Sequence, residues 1–368
     1  MEKPPIMSQA PESLKVFAKL FLVVSVIFTV IMYFLSIALD PFLFYFTTEG
    51  LASSINNLPN LPVWLFTFSI KLPISLDVGT IFLGLWTIFS LCFIAAWKIN
   101  ENFHTIIKES TSRPIAKLFN SSLFALPLIN SMTLIAVVIL QSLQEIGGIP
   151  TGTSPITGNS FLSLLDLSHA AVFEEIGFRI LPIGAFLIVY MFWTARKIAT
   201  LSPAQKVKLF FVSILFPDKA KQMIGTKTVS ENGIKQGISK GEWAMLAFTS
   251  LVFGLAHFNP GVSWELGKIA SAGVAGLVIG SSYLVYGAHA AIIIHWFFNM
   301  YTDTFYLFSD LYPAAGPFAN AVAIFSMILG IIGWTFVAVL GVIKLSEVFQ
   351  RKEVSQTEAT SSFSVSPQ

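Results

Sequence analysis

Eight predominantly apolar stretches dominate this sequence, at about 17–39, 78–97, 121–143, 161–196, 243–258, 264–285, 288–308 and 318–343. Most are long enough for a helix to cross a hydrocarbon core of roughly 30 Å, where a spanning segment has to satisfy its own backbone hydrogen bonds. Hydrophobic residues make up 54% of the 368 and charged residues 11%, with a mean hydropathy of +0.74. That leaves too little charge to cover a soluble domain of this length. The expected fold is all-α, a polytopic transmembrane helical bundle of about eight spans with the membrane lipid bilayer as its first partner. A net charge of +2 argues against nucleic acid as a partner. The one cysteine, Cys92, sits in the apolar run TIFSLCFIAAW, which rules out an internal disulfide and any multi-cysteine metal site. The first apolar run follows Lys3, Lys15 and Lys19 and contains Ser36-Ile37-Ala38, a faint cleavage-site pattern. It is longer than a typical signal-peptide core, so it reads as a retained span.

Basic residues fix the expected orientation, because cytoplasmic loops carry an excess of Lys and Arg. Lys98, Lys108, Arg113 and Lys117 follow the second stretch, nine of the 22 basic residues lie from Arg196 to Lys240, and Lys344, Arg351 and Lys352 follow the last stretch. The loop 144–160 and the connections near 259–263 and 309–317 contain none. Eight crossings with both termini cytoplasmic put every basic loop on the inner side, the loop 198–241 included. This requires 161–196 to cross once, with a kink near Pro182 or a partly submerged first half; two short spans there are the competing reading. The domain plan is an N-terminal cytoplasmic segment at 1–16, N-terminal spans and loops over 17–143, a membrane core at 161–308, a last span at 318–343 and a disordered cytoplasmic tail at 344–368. Two apolar segments are expected at the membrane interface: 61–76, interrupted by Lys71 and Pro73, and 206–216, which pairs lysines with an apolar stretch before Pro217. No internal repeat is evident.

Against this background the stretch AVFEEIGFRI, residues 171–180, places Glu174, Glu175 and Arg179 among hydrocarbon side chains. On insertion scales each such charge costs about 2.5–3.5 kcal/mol at the centre of a membrane helix. Two later stretches also carry polar groups: LVFGLAHFNP contains Phe253 and His257, and HAAIIIHWFFNM contains His289, His295 and Asn299. Residues four apart share a helix face, so Glu175 lies over Arg179, Phe253 over His257 and His295 over Asn299. Glu175 and Arg179 neutralise each other and read as a structural pair, whereas Glu174 points elsewhere and needs a partner on another span. A carboxylate and an imidazole sharing a water can act together as general base, and a second His with a carboxamide can donate to a developing oxyanion. Glu174 with His257, and His295 with Asn299, complete amide hydrolysis without a nucleophilic Ser or Cys. His289 reads as support or interface, His169 as a weaker candidate on the span of the acidic pair, and His104 as a solvated loop residue.

The ordered set E-E-x-x-x-R, F-x-x-x-H and H-x-x-x-N on separate apolar stretches resembles the CPBP intramembrane endopeptidases, also called the Abi family, which includes the type II CAAX prenyl proteases. The resemblance covers roughly 161–308. It implies that Glu174 and His257 activate the water, that His295 and Asn299 stabilise the oxyanion, and that Glu175 and Arg179 support the site. It favours a glutamate-type mechanism with no cofactor and a peptide or lipidated protein as substrate. Zinc held by Glu174, His257 and His295 is the alternative. Two features depart from the pattern. There are 73 residues between Arg179 and Phe253, and His257 falls nearer the outer end of its span than Glu174 and His295 do of theirs, by on the order of 10 Å from helix rise. A non-enzymatic protein is the rival reading, either a proton-coupled transporter or an immunity or scaffold protein of the same fold. Transporters usually show repeated halves, whereas here every polar motif lies in the second half.

Overall fold

The computed structural model describes residues 12–65, 68–154, 158–194 and 196–362; Lys3 and the last residues of the tail lie outside them. The bundle is built from α1 (Glu12–Phe46), α2 (Val78–Lys98), α3 (Ser122–Ile146), α4 (Ser160–Glu175), α5 (Leu181–Thr194), α6 (Pro203–Leu215), α7 (Lys240–Ala256), α8 (Leu266–Tyr286), α9 (Ala288–Trp296), α10 (Thr302–Leu311) and α11 (Gly316–Ser362). Helix starts carry local signals. Asp77 and Asn159 cap α2 and α4 with their side-chain oxygens, and Ser239 forms a reciprocal capping box with Glu242 at the start of α7.

The molecule is an all-α bundle of a multi-pass membrane protein. Six helical stretches are long and apolar enough to cross a membrane, namely Val16–Phe46, Val78–Lys98, Ser122–Ile146, Ser160–Trp193, Leu266–Tyr286 and Pro313–Val342. The other two expected spans are helical but fall short. The helix α7 has 17 residues, and the stretch from Ala288 to Leu311 is divided between α9 and α10 by a π-helical turn. Both shortened elements carry polar motif residues. Apolar side chains along the outside, such as Phe17, Leu20 and Val24 on α1, are exposed as lipid contact would require.

The segment 160–194 is one continuous helix, so the two-span reading of it is not what the chain adopts. Its irregularity is a π-helical turn, Ile176–Ile180, directly before Pro182. Proline has no N–H to give and its ring crowds the carbonyl four residues back, and a widened turn relieves both. The segment 61–76 forms an antiparallel hairpin, β2 (Leu61–Leu65) against β3 (Phe68–Leu72), closed by a two-residue pairing of β1 (Asn57–Leu58) with β4 (Leu76–Asp77). Segment 206–216 falls on α6. Composition suggested disorder after residue 344, yet α11 continues to Ser362, through Glu, Gln, Lys and Arg residues of good helix propensity.

Side-chain and backbone bonds sort the loops into two sets. At one end Gly152 bridges to Trp264 and Asn159 bonds Ser53, which gathers the loops near 50, 150 and 260. At the other end Lys19 bonds the Thr111 carbonyl and Tyr286 Oη donates to the Phe119 carbonyl, beside the basic segment. That segment, the cause of the long Arg179–Phe253 spacing, is folded. Buried Lys221 bonds Glu242 at 2.9 Å and the Gly237 carbonyl at 2.6 Å, and Asp218 accepts the N–H groups of Val229 and Ser230. The helix α9 runs through the centre, with all nine of its residues buried.

Candidate active site

Three interruptions of regular helix bring the motifs together. Glu174 and Glu175 end α4 where the π turn Ile176–Ile180 begins, and Arg179 lies inside that turn. His295 is near the end of α9 and Asn299 lies inside the second π turn, Phe297–Tyr301. His257 caps the C-terminus of α7, where the helix stops. A π turn displaces side chains from the ordinary i, i+4 register, and such turns are frequent at functional sites.

Glu175 is the hub. Its Oε1 accepts from Arg179 Nη1 at 2.8 Å and from His295 Nδ1 at 2.7 Å, with Glu175 and Arg179 fully buried. The Arg179 guanidinium lies over the Phe253 ring at 3.8 Å, a cation–π contact that ties α7 to the π turn. Phe253 also stands between the two histidines, 4.5 Å from the His257 ring and 6.0 Å from the His295 ring. His257 lies one helical turn past Phe253, whose ring meets both imidazoles. Opposite, α8 comes close at Gly276, where a Cβ would lie 2.9 Å from Arg179 Nη2 and 3.3 Å from Phe253. Gly276→Val is expected to displace Arg179 and lower the unfolding temperature in detergent. Unchanged stability would show that α8 can withdraw from the guanidinium at no cost.

Glu174 differs from its neighbour. Its side chain is 22% exposed, and its Oε2 is 3.8 Å from His295 Nε2, too far for a hydrogen bond. His257 Nδ1 donates to the Phe253 carbonyl at 2.8 Å, which leaves Nε2 as a free lone pair. Asn299 donates from Nδ2 to the Leu167 carbonyl at 3.2 Å and keeps a second N–H. Glu174, His257 and Asn299 are each partly exposed, whereas Glu175, Arg179 and His295 are walled in. Among the described residues no three His, Cys, Asp or Glu side chains form a group able to hold a metal ion.

The remaining histidines stand apart from this cluster. His169 stacks on Phe173 at 4.2 Å, His289 Nε2 pairs with Ser122 Oγ at 3.0 Å near the far end of the bundle, and His104 is an exposed loop-side residue. The N-terminal spans brace the site from behind. Thr304 Oγ1 donates to buried Asp40 at 2.7 Å, Asn130 donates to Tyr33 Oη at 2.9 Å, and the Tyr33 ring meets Trp296 at 5.5 Å. The sequence reading missed the bond of Glu175 to His295, both π turns and Gly276. Only Pro182 signalled an irregular turn in advance.

Residues 157–301 match the family described as type II CAAX prenyl endopeptidase Rce1-like. This segment is similar to Rce1-like domains. It contains all three motifs and spans α4 to the second π turn, so the CAAX protease family reading of the sequence holds for the part of the chain that carries the polar cluster. No curated protein and no solved structure matched the chain. Tyr33, Asp40 and Asn130 lie outside the matched residues; the Tyr33 ring packs on Trp296 inside them, and Asp40 bonds Thr304 just beyond their end.

Proposed function

We propose that the protein is an intramembrane endopeptidase that hydrolyses a peptide bond of a membrane-associated substrate, with a lipidated CAAX-type chain end as the leading candidate. The observation that carries this reading is the division of labour between adjacent glutamates. Glu175 is locked to Arg179 and His295, and Glu174 is left partly open beside the His295 imidazole. Glu174 takes one proton of a water whose other O–H is held by the bare Nε2 of His257, and the water oxygen attacks the scissile carbonyl carbon. The carbonyl π electrons become an oxyanion, to which Asn299 donates its second N–H. His295 has its Nδ1–H committed to Glu175, so it donates to the oxyanion from Nε2 only when both ring nitrogens carry a proton. As the C–N bond breaks, Glu174 returns its proton to the leaving nitrogen.

The direct test is incubation of detergent-purified protein with a fluorogenic prenylated CAAX-type peptide, with and without chelator. Cleavage that survives chelation supports the glutamate-type mechanism. Stoichiometric zinc lost together with activity would replace it with a metal site on Glu174, His257 and His295, and no cleavage of any lipopeptide would favour the transporter or scaffold reading.

For orientation, we infer that both termini and the loop 198–241 face the cytoplasm, on the strength of the clustered basic residues. In a Cys92→Ala background, cysteine at exposed Ser230 is expected to react with a membrane-impermeant maleimide only after the cells are opened. Labelling in intact cells would overturn this topology.

A further inference from the structure

Lys268, in the first turn of α8, is a cation without a counter-ion. Among the described residues it takes part in no ion pair. Its nearest acidic neighbour in sequence, Glu265, is occupied, because its Oε1 accepts the Gly261 N–H at 2.9 Å. The ammonium rests instead on the Trp264 ring, with Nζ 3.6 Å from the centroid. Trp264 is itself fixed, its carbonyl accepting from Asn259 at 2.9 Å and its backbone bridged to Gly152. Lysine inside an apolar span costs stability and marks a functional site unless something pairs with it.

Position in the bundle shows what Lys268 faces. It lies one turn before Ala272, which packs with Phe178 and Phe253, and His257 lies one turn after Phe253 on the antiparallel neighbour α7. Lys268 and His257 therefore stand on the same side of that apolar cluster. The Lys268 charge acts on Glu174 and on His257, although neither is close enough to form an ion pair with it. Behind Lys268 the loops are closed, with Gly267 N–H bonded to the Pro150 carbonyl at 2.8 Å and Glu265 N–H to the Thr151 carbonyl at 3.1 Å. A peptide lying across Glu174 and His257 meets a fixed positive charge backed by a wall of backbone. An internal segment meets that lysine only where it happens to carry an Asp or Glu, whereas every free chain end brings a carboxylate.

We propose that Lys268, steadied on Trp264, binds the C-terminal carboxylate of the peptide substrate and so selects free chain ends for cleavage at Glu174. This rests on the protease reading above, and it assigns the specificity to a residue outside the three motifs. Lys268 is a point-charge ligand for the carboxylate, and a single charge-assisted hydrogen bond of this kind corresponds to about 10–100-fold in binding or kcat/KM.

The test uses full-length protein in detergent and one lipopeptide sequence in three forms: free acid, C-terminal amide, and amide with an Asp side chain at the last position. Wild type is expected to prefer the free acid over the plain amide by about 10–100-fold in kcat/KM, Lys268→Met to treat the two alike, and Lys268→Arg to recover part of the preference. Equal use of acid and amide by wild type overturns the proposal. So does a Lys268→Met variant that keeps the preference, or an Asp-bearing amide used as well as the free acid, since the lysine would then read any carboxylate. Binding of the same fluorescent peptides separates this proposal from the catalytic one. Wild type that cleaves none of them but binds the acid more tightly, with the difference lost in Lys268→Met, leaves the carboxylate site standing while the protease reading falls.

Discussion

Glu174→Gln is expected to lower turnover by about 10²–10⁴-fold with the fold intact, the range a positioned general base contributes. The amide keeps the shape of the carboxylate, and the substitution breaks no hydrogen bond to His295, whose Nε2 stands 3.8 Å away. His257→Ala should cost a comparable factor, since it removes the free Nε2 left by the bond of Nδ1 to the Phe253 carbonyl. The two groups serve one water, so the double variant should be little slower than the slower single variant, as for other residues that act as a unit. Single-turnover rates on the fluorogenic lipopeptide, with thermal unfolding as the fold control, provide the measurement. Activity near wild type in Glu174→Gln would remove the general-base role, and fully multiplicative effects in the double variant would separate the two residues into independent functions.

The second large effect concerns stability. Glu175→Ala should destabilise the protein by about 3–5 kcal/mol, because it leaves a buried guanidinium without its carboxylate. It also strands two donors at once, since Arg179 Nη1 at 2.8 Å and His295 Nδ1 at 2.7 Å converge on the same oxygen. Arg179→Met should cost less, because His295 Nδ1 still donates to Glu175 Oε1 and the Met side chain still packs on Phe253. Reversible unfolding in mixed detergent would give both values. A larger loss in Arg179→Met than in Glu175→Ala would show that Glu175 does not share its oxygen in this way.

Particular elements show how far the sequence carried the interpretation. Glu175 over Arg179 was legible from the i, i+4 rule and is present as the buried ion pair. The hairpin at 61–72 was legible only as an apolar segment broken by Lys71 and Pro73, because its strand pairing is set by cross-strand hydrogen bonds that leave little trace in a short apolar run. Glu175 bonded to His295 was not legible at all, because the partners are 120 positions apart on separate helices. Lys268 escaped notice because a lone lysine near the start of a span looks like an interfacial anchor.

By itself the sequence determined the solvent and the chemistry available. Apolar stretches of membrane length force helices whose backbone bonds are local, and charges embedded in them are too costly to be incidental, so fold class and motif residues could be read residue by residue. The tertiary structure alone decided that Glu175 is also tied to His295, where helices widen into π turns, that α8 approaches Arg179 through Gly276, and that Lys268 has no counter-ion among the described residues. These depend on contacts between segments far apart in the chain. Their energies come from burial and shared partners, and local periodicity carries no record of either.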